Sequence, residues 1–327
     1  MLLDGRDPQA IAQAARALAA GELVALPTET VYGLGARADQ DAAVAKIFAA
    51  KGRPADHPLI VHVLDADDAA RFATELPAIA QRLMAAFWPG PMTVIVPRAP
   101  AMAAAAAGGQ SSIGLRCPAH PVARALLAAA RAEGVLGVAA PSANRFGRVS
   151  PTQARHVVDE FEPGLIVLDG GECEVGIEST IVDCSRGHPV LLRPGVLTPA
   201  QIEAVLGEPL LAPDAAAPRA SGTLAAHYAP RAVVRLFDVD GAVTAPKQAG
   251  AALAVYSRTA DAGPVDAALR RRMPADARAA AHELFAVLRE LDEAGAAEIW
   301  IERPPSGSEW DGVRDRLSRA AAAFELE

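Results

Sequence analysis

Long apolar runs are missing from this 327-residue chain. No stretch approaches the roughly 20 residues that a membrane-spanning helix needs. The run over 101–107 is short and mostly alanine. The first residues, MLLDGRDPQA, lack a basic start followed by an apolar core, so no signal peptide is read and a cytoplasmic location is expected. Cysteine is scarce too. Cys117, Cys173 and Cys184 form no C-x-x-C pair and read as structural thiols. Cys117 follows Arg116, but no neighbouring base marks it as a nucleophile. His57 and His62 stand five apart, which is not a zinc spacing, and no metal site is read. Aromatic residues are 4%, too few for base-stacking platforms, and the net charge is −8. Together these disfavour a dedicated nucleic-acid binder and leave room only for a local basic groove.

What is present suits a soluble enzyme. Hydrophobic residues make up 51% of the chain, enough for sizeable cores. Since single cores stop growing beyond roughly 250–300 residues, two domains are expected. Helical periodicity appears over 8–20, 41–50, 78–87, 122–133, 152–160 and 199–206. Short apolar runs over 23–26, 59–64, 92–96, 112–116, 135–140, 165–169, 179–183 and 190–193 read as strands. Glycine, proline and alanine then dominate 207–230, which reads as a linker. A second unit follows, with strands over 233–238, 252–256 and 298–302 and helices over 276–294 and 310–323. The division expected is 1–206, a linker over 207–230, and 231–327. Strands alternating with helices make both units α/β.

Cations are lopsided. Only Lys46, Lys51 and Lys247 are lysines among 31 basic residues, so a lysine here is a chemical choice. Lys51-Gly52-Arg53-Pro54 ends a helix, an arrangement that either aims two charges at one polyanion or complements the helix C-terminus. The segment Pro141-Ser142-Ala143-Asn144-Arg145-Phe146-Gly147-Arg148-Val149-Ser150-Pro151-Thr152 begins where a buried strand ends, where ligands bind in α/β folds. Thr152 is expected to cap the next helix, which leaves Ser150 available to a ligand. Pro27-Thr28-Glu29-Thr30-Val31-Tyr32-Gly33-Leu34-Gly35 clusters hydroxyls after a strand. It lacks the third glycine of a dinucleotide loop and the helix directly behind it, and there is no P-loop. Gly176-Ile-Glu178-Ser179-Thr180 puts Ser179 and Thr180 on opposite sides of a strand. Arg193 closes another strand, as a ligand or as a surface charge. Ser221-Gly222-Thr223 and His227-Tyr228 lie in a long loop, either functional or an interdomain anchor. His62, on an apolar strand, is by itself a core residue.

The ordered set PTETVYGLG, KGRPADHPLIVH, PGPMTV, LRCP, PSANRFGRVSPT, GIESTIVD, LLRPG and HYAP resembles the threonylcarbamoyl-AMP synthase family, in its long form with a C-terminal extension. The resemblance covers nearly the whole chain. It implies an open, twisted YrdC-like α/β sheet with a concave cavity, and a smaller Rossmann-like C-terminal α/β domain reached through a loop over the cavity. It implies an L-threonylcarbamoyladenylate synthase, a nucleotidyltransferase joining L-threonine, bicarbonate and ATP and releasing diphosphate. ATP is a substrate, accompanied by Mg²⁺, and no tightly bound cofactor is implied. The product passes to threonylcarbamoyl transferase partners that modify an adenosine in tRNA, with room for a weak tRNA contact and none for a membrane. Lys51, Arg53, Ser142 and Asn144 match the family's signature tetrad. By the same match Thr30, His62, Arg116 and Thr180 form the threonine pocket, and Arg53, His57, Ser112, Ser142, Ser150, Arg193 and Tyr228 contact ATP. His57 departs from the Asn found in many members, and Ala220-Ser221-Gly222 from a common Pro-Gly. Glu29 and Glu178 are read as metal-positioning or structural carboxylates.

The competing reading is a tRNA or double-stranded RNA binding module without catalysis, which the acidic net charge disfavours. A carbamoyl-transfer maturation protein of related fold would carry acylphosphatase-like and zinc segments, and these are absent.

Overall fold

The computed structural model describes residues 1–238, 252–259 and 265–324; Lys247 falls outside them. The chain forms two compact units. The first is Met1–Phe146 with Ser150–Thr223, and the second Gly147–Val149 with Leu224–Glu327.

The first unit runs β1 (Leu2–Asp4), α1 (Pro8–Ala19), β2 (Val24–Leu26), β3 (Gly33–Arg37), α2 (Asp41–Lys51), β4 (Ile60–His62), α3 (Ala66–Ala70), α4 (Ala78–Phe87), β5 (Met92–Pro97) and β6 (Ser112–Arg116). It continues with α5 (Pro121–Ala132), β7 (Val138–Ala139), α6 (Ala154–Val158), β8 (Ile166–Asp169), β9 (Thr180–Asp183), β10 (Val190–Arg193) and α7 (Pro199–Leu206). Local chemistry sets the helix ends. Asp7 caps α1 by accepting from the Gln9 amide, with Pro8 in the first turn. Gly52, at φ 64°, closes α2 in the left-handed region that an L side chain resists. Thr198 and Gln201 form a capping box on α7.

The ten strands form one mixed sheet in the order β1-β8-β2-β3-β7-β4-β6-β5-β9-β10. Side chains alternate between its faces. One face carries Ala25, Leu34, Ala36, Val61, Leu115, Val94 and Val182, and packs into the larger core. The other face is divided. Over the β8-β2-β7 part, Val24, Leu26, Val138 and Leu168 pack with Leu18 of α1 and Leu126 of α5. Over the β4-β6-β5-β9 part, the same face carries Ile60 and His62, Gly114 and Arg116, Thr93 and Ile95, and Ile181. Ile60, Thr93, Ile95, Gly114 and Ile181 line a cavity.

The structure departs from the sequence at three places. Gly33-Leu34-Gly35, over which no strand was read, is strand β3, paired antiparallel with β2. A Cβ on Gly35 would stand 2.8 Å from Val138 Cγ1 and 3.0 Å from Leu26 Cδ2, so close strand packing explains that glycine. Thr152 does not cap α6: Gln153 occupies the cap position without a side-chain bond. The Thr152 amide instead donates to His156 Nδ1 at 3.3 Å. The strand expected over 135–140 narrows to β7, Val138–Ala139.

The second unit has β11 (Val233–Phe237), β12 (Leu253–Ser257), β13 (Arg270–Arg272), α8 (Ala277–Glu293), β14 (Glu298–Glu302) and α9 (Asp311–Ala322). Its strands are all parallel, in the order β11-β14-β12-β13. Three consecutive arginines hid β13, since their pattern carries no apolar alternation.

Candidate active site

The tetrad read from the sequence is assembled by backbone first. The Phe146 amide donates to Lys51 O at 2.9 Å and the Ala143 amide to Tyr32 O at 2.8 Å. Gly33 and Ser142 form an isolated antiparallel bridge. This draws the end of α2, the start of β3 and the loop after β7 together. Lys51 is buried, and its Nζ donates to Ser142 O at 2.6 Å and also to Asn144 O. Burial, then the Arg53 charge, pushes its amine well below the usual lysine range. Asn144 Nδ2 donates to Arg145 O at 2.7 Å. Arg53 Nη2 donates to Pro58 O at 2.9 Å and reaches Ser221 Oγ at 3.4 Å, with its guanidinium 5.9 Å from the Phe146 ring centre. His57 lies 5.5 Å from the same ring, and burial followed by the Arg53 charge lowers its imidazole pKa.

A second cluster sits where β4 and β6 end side by side, with His62 paired to Arg116 in the ladder. Arg116 Nη2 lies 2.8 Å from Glu29 Oε1, and both side chains are buried. Glu29 Oε2 accepts from the Ala119 amide at 3.0 Å. Burial pushes the Glu29 carboxyl up, but Arg116 and these hydrogen bonds pull it further down, and it stays below the usual carboxylate range. His62 is fully buried and neutral, pushed down to about 3 by burial and then by Arg116; its Nδ1 has no protein partner. Thr30 is presented by its neighbour. Thr28 Oγ1 accepts from the Thr30 and Val31 amides at 3.2 Å and lies 2.9 Å from Thr30 Oγ1.

The cavity is lined by Ser112 and Gly114 on the sheet side and by Arg219, Ala220 and Ser221. Ser150 Oγ donates to Glu178 Oε1 at 2.5 Å, both buried. Ser179 Oγ lies 2.8 Å from Thr93 Oγ1. Arg193 Nε and Nη2 donate to Ser179 O at 3.0 and 2.8 Å, while Nη1 donates to Ser221 O at 2.9 Å. Thr180, singled out in the sequence, stands apart from this face. Thr180 alternates away from Ile181, with its hydroxyl 3.4 Å from Leu197 O. Tyr228 belongs to the second unit, where its ring stacks 5.4 Å from Phe285 and lies 5.3 Å from the Arg316 guanidinium.

Sequence reading missed the partners that aim these groups: Glu29 for Arg116, Ser179 for Arg193, and Arg219 for the cover. Arg219 Nη1 lies 2.9 Å from Asp56 Oδ2, and its amide donates to Gln110 Oε1 at 2.8 Å. Alternation along β5 and β9 was the available signal for Thr93 and Ser179. Nothing local marks Arg219. Among the described residues, no group of three or more His, Cys, Asp or Glu side chains could hold a metal ion, and no helix is long and apolar enough to cross a membrane.

Comparison with known proteins identifies relatives along nearly the whole chain. The profile of a family described as "Telomere recombination" matches residues 16–195, and one described as "Threonylcarbamoyl-AMP synthase, C-terminal domain" matches residues 197–322. A threonylcarbamoyl-AMP synthase of Bacillus subtilis is 38% identical over 334 residues, covering 98% of this chain and 94% of that protein. One from Pyrococcus abyssi is 36% identical over 318 residues, covering 92% and 91%. The crystal structure of P. abyssi Sua5 complexed with L-threonine superposes with a TM-score of 0.87 at 34% identity, covering 99% of this chain and 97% of that one.

Proposed function

The chain belongs to the threonylcarbamoyl-AMP synthase family, and from that premise we propose that it is a nucleotidyltransferase that converts L-threonine, bicarbonate and ATP into threonylcarbamoyl-AMP and diphosphate. The reaction brings an N-carboxylated amino acid against the α-phosphorus of ATP. Two anions must therefore approach. Fixed cations and hydroxyls in a water-poor cavity offset that repulsion without reorganising during the step. The observation that carries this reading is the buried Lys51, tied to the Ser142 and Asn144 carbonyls, with the Glu29–Arg116 ion pair at the far end of β4.

Arg116 would take the threonine carboxylate, and Thr30 and His62 would meet the polar groups beside it. Lys51, Arg53, Ser142 and Asn144 would hold the phosphates, with His57, Ser112, Ser150, Arg193 and Tyr228 around the nucleotide. No covalent intermediate on the chain is invoked. All three cysteines are buried, and burial raises each thiol above its ordinary pKa.

Mg²⁺ would arrive with the nucleotide and neutralise phosphate charge. Such an ion needs only one or two protein carboxylates beside the phosphates. Glu29 balances the charge of Arg116. Glu178, held by Ser150, is close enough to influence the Lys51 charge and is the carboxylate that would hold the ion. The product would pass to threonylcarbamoyl transferase partners acting on tRNA.

Diphosphate release tests the reading. It should require threonine and bicarbonate together. Release that ignores threonine would make the protein an ATPase of another kind.

A further inference from the structure

We infer that Glu29 is a positioning residue for the amino-acid substrate, which aims Arg116 and cancels its charge so that the pocket accepts a zwitterionic α-amino acid in preference to a simple carboxylate. The inference rests on the reading of the Glu29, His62 and Arg116 cluster as a threonine site.

A buried guanidinium is costly unless it is paired and hydrogen-bonded. Arg116 is 4% exposed. Glu29 meets it at 2.8 Å, and Gly90 O accepts from its Nε at 3.4 Å. Glu29 is itself clamped from two loops. The Ala119 amide donates to its side chain, and the Val175 amide donates to its carbonyl at 2.7 Å. The Thr28 hydroxyl accepts the next two amides and donates to Val31 O at 2.6 Å, so the turn bearing Glu29 has little freedom. A carboxylate held this firmly, 2.8 Å from Arg116 Nη2, limits where that end of the guanidinium can sit.

The charges complete the argument. Glu29 is ionised, Arg116 is cationic and His62 is neutral, so the cluster is neutral overall. An α-amino acid brings one charge of each sign. Its carboxylate meets Arg116, and the Glu29 carboxylate draws its ammonium. A ligand that has a carboxylate but no ammonium leaves Glu29 facing an uncompensated negative charge. A pocket in which position 29 is uncharged would reverse that preference.

The test is calorimetric binding of L-threonine and of 3-hydroxybutyrate, which lacks the amino group, to the full chain. With Glu29→Gln, threonine binding should weaken at least about tenfold, the scale of one charge-assisted hydrogen bond, while 3-hydroxybutyrate binding holds or tightens. In steady-state assays the loss should fall on the KM for threonine and leave the KM for ATP within about twofold. Equal weakening of both ligands would mean a purely structural role and overturn the inference. So would wild-type threonine affinity in the variant. Glu29→Asp retains the charge and should retain the preference for threonine within about twofold, even where absolute affinity falls. Loss of the preference in that variant would also overturn it. If the unaltered protein binds no threonine, it is the functional reading that fails.

Discussion

Lys51 shows how a residue can be chosen for chemistry and still hold structure. Its amine is buried and its pKa depressed, yet it donates to two carbonyls of the loop that also carries Ser142 and Asn144. Lys51→Ala should therefore do two things. It should cut the threonine-dependent rate by about a hundredfold or more, as removal of a preorganised donor does. It should also lower stability by about 1–3 kcal/mol, since two carbonyls lose their partner. Single-turnover kinetics and urea unfolding read these separately, and a full rate in the variant would contradict the role given to Lys51. His62 makes a pH prediction. In the unfolded chain its imidazole titrates near 6.5, and in the folded protein near 3. Between those values the unfolded state binds the extra proton. The stability His62 supports is thus complete above about pH 6.5 and declines as pH falls toward 3. Urea unfolding from about pH 7 down to about pH 4 should show a shallower decline in His62→Asn than in the unaltered chain. At this scale the sequence was informative about residue type and poor about partners. Lys51, Arg53, Ser142 and Asn144 stand out by motif. The pairing of Glu29 with Arg116 spans 87 positions and has no local signature. Thr152 looked like a helix cap because a hydroxyl before a helix usually is one, but its amide is taken by His156 and the helix starts later.

At the scale of elements, strands and helices with ordinary periodicity were legible, and those built by close packing were not. β4, β5, β6, β9 and β10 appear in the sequence as short apolar runs. β3 does not, because Gly35 is selected by the approach of Leu26 and Val138, and Gly33 by that of Ala140. β1 is only Leu2–Asp4, below the length at which alternation can be recognised. The cover over the cavity is the element with most functional consequence. Arg219 ties it to one rim through Asp56 and Gln110, and Arg193 to the other through Ser221. The Arg219–Asp56 pair is about half exposed, so it adds little to global stability, at most about 1 kcal/mol. Its effect should be local. Arg219→Ala should speed ATP dissociation several-fold in stopped-flow measurements and leave the unfolding midpoint nearly unchanged. An unaltered dissociation rate would mean that segment 219–221 does not gate the nucleotide.

For the molecule as a whole, the sheet explains why a cavity exists at all. Helices α1 and α5 cover one part of a face with Leu18 and Leu126, while the part over β4, β6, β5 and β9 is floored by Gly114, Thr93 and Ile60. Alternation places His62 and Arg116 on that uncovered face. Length pointed to two units, and motif order to the family. The sharing of residues between units was hidden, because Gly147–Val149 sits inside a motif of the first unit yet bonds within the second. Ala229 donates to Gly147 O at 2.9 Å, and Arg289 Nη2 donates to Val149 O. Such an exchange depends on tertiary hydrogen bonds and leaves no periodic trace. The central claim is that one cavity joins three small molecules. Incubation of the full chain with ATP, L-threonine and ¹³C-bicarbonate, followed by mass spectrometry, tests it most directly. The account predicts a threonylcarbamoyl adenylate carrying one ¹³C atom, formed with diphosphate and absent when threonine is left out. Diphosphate released without a labelled adenylate would contradict it.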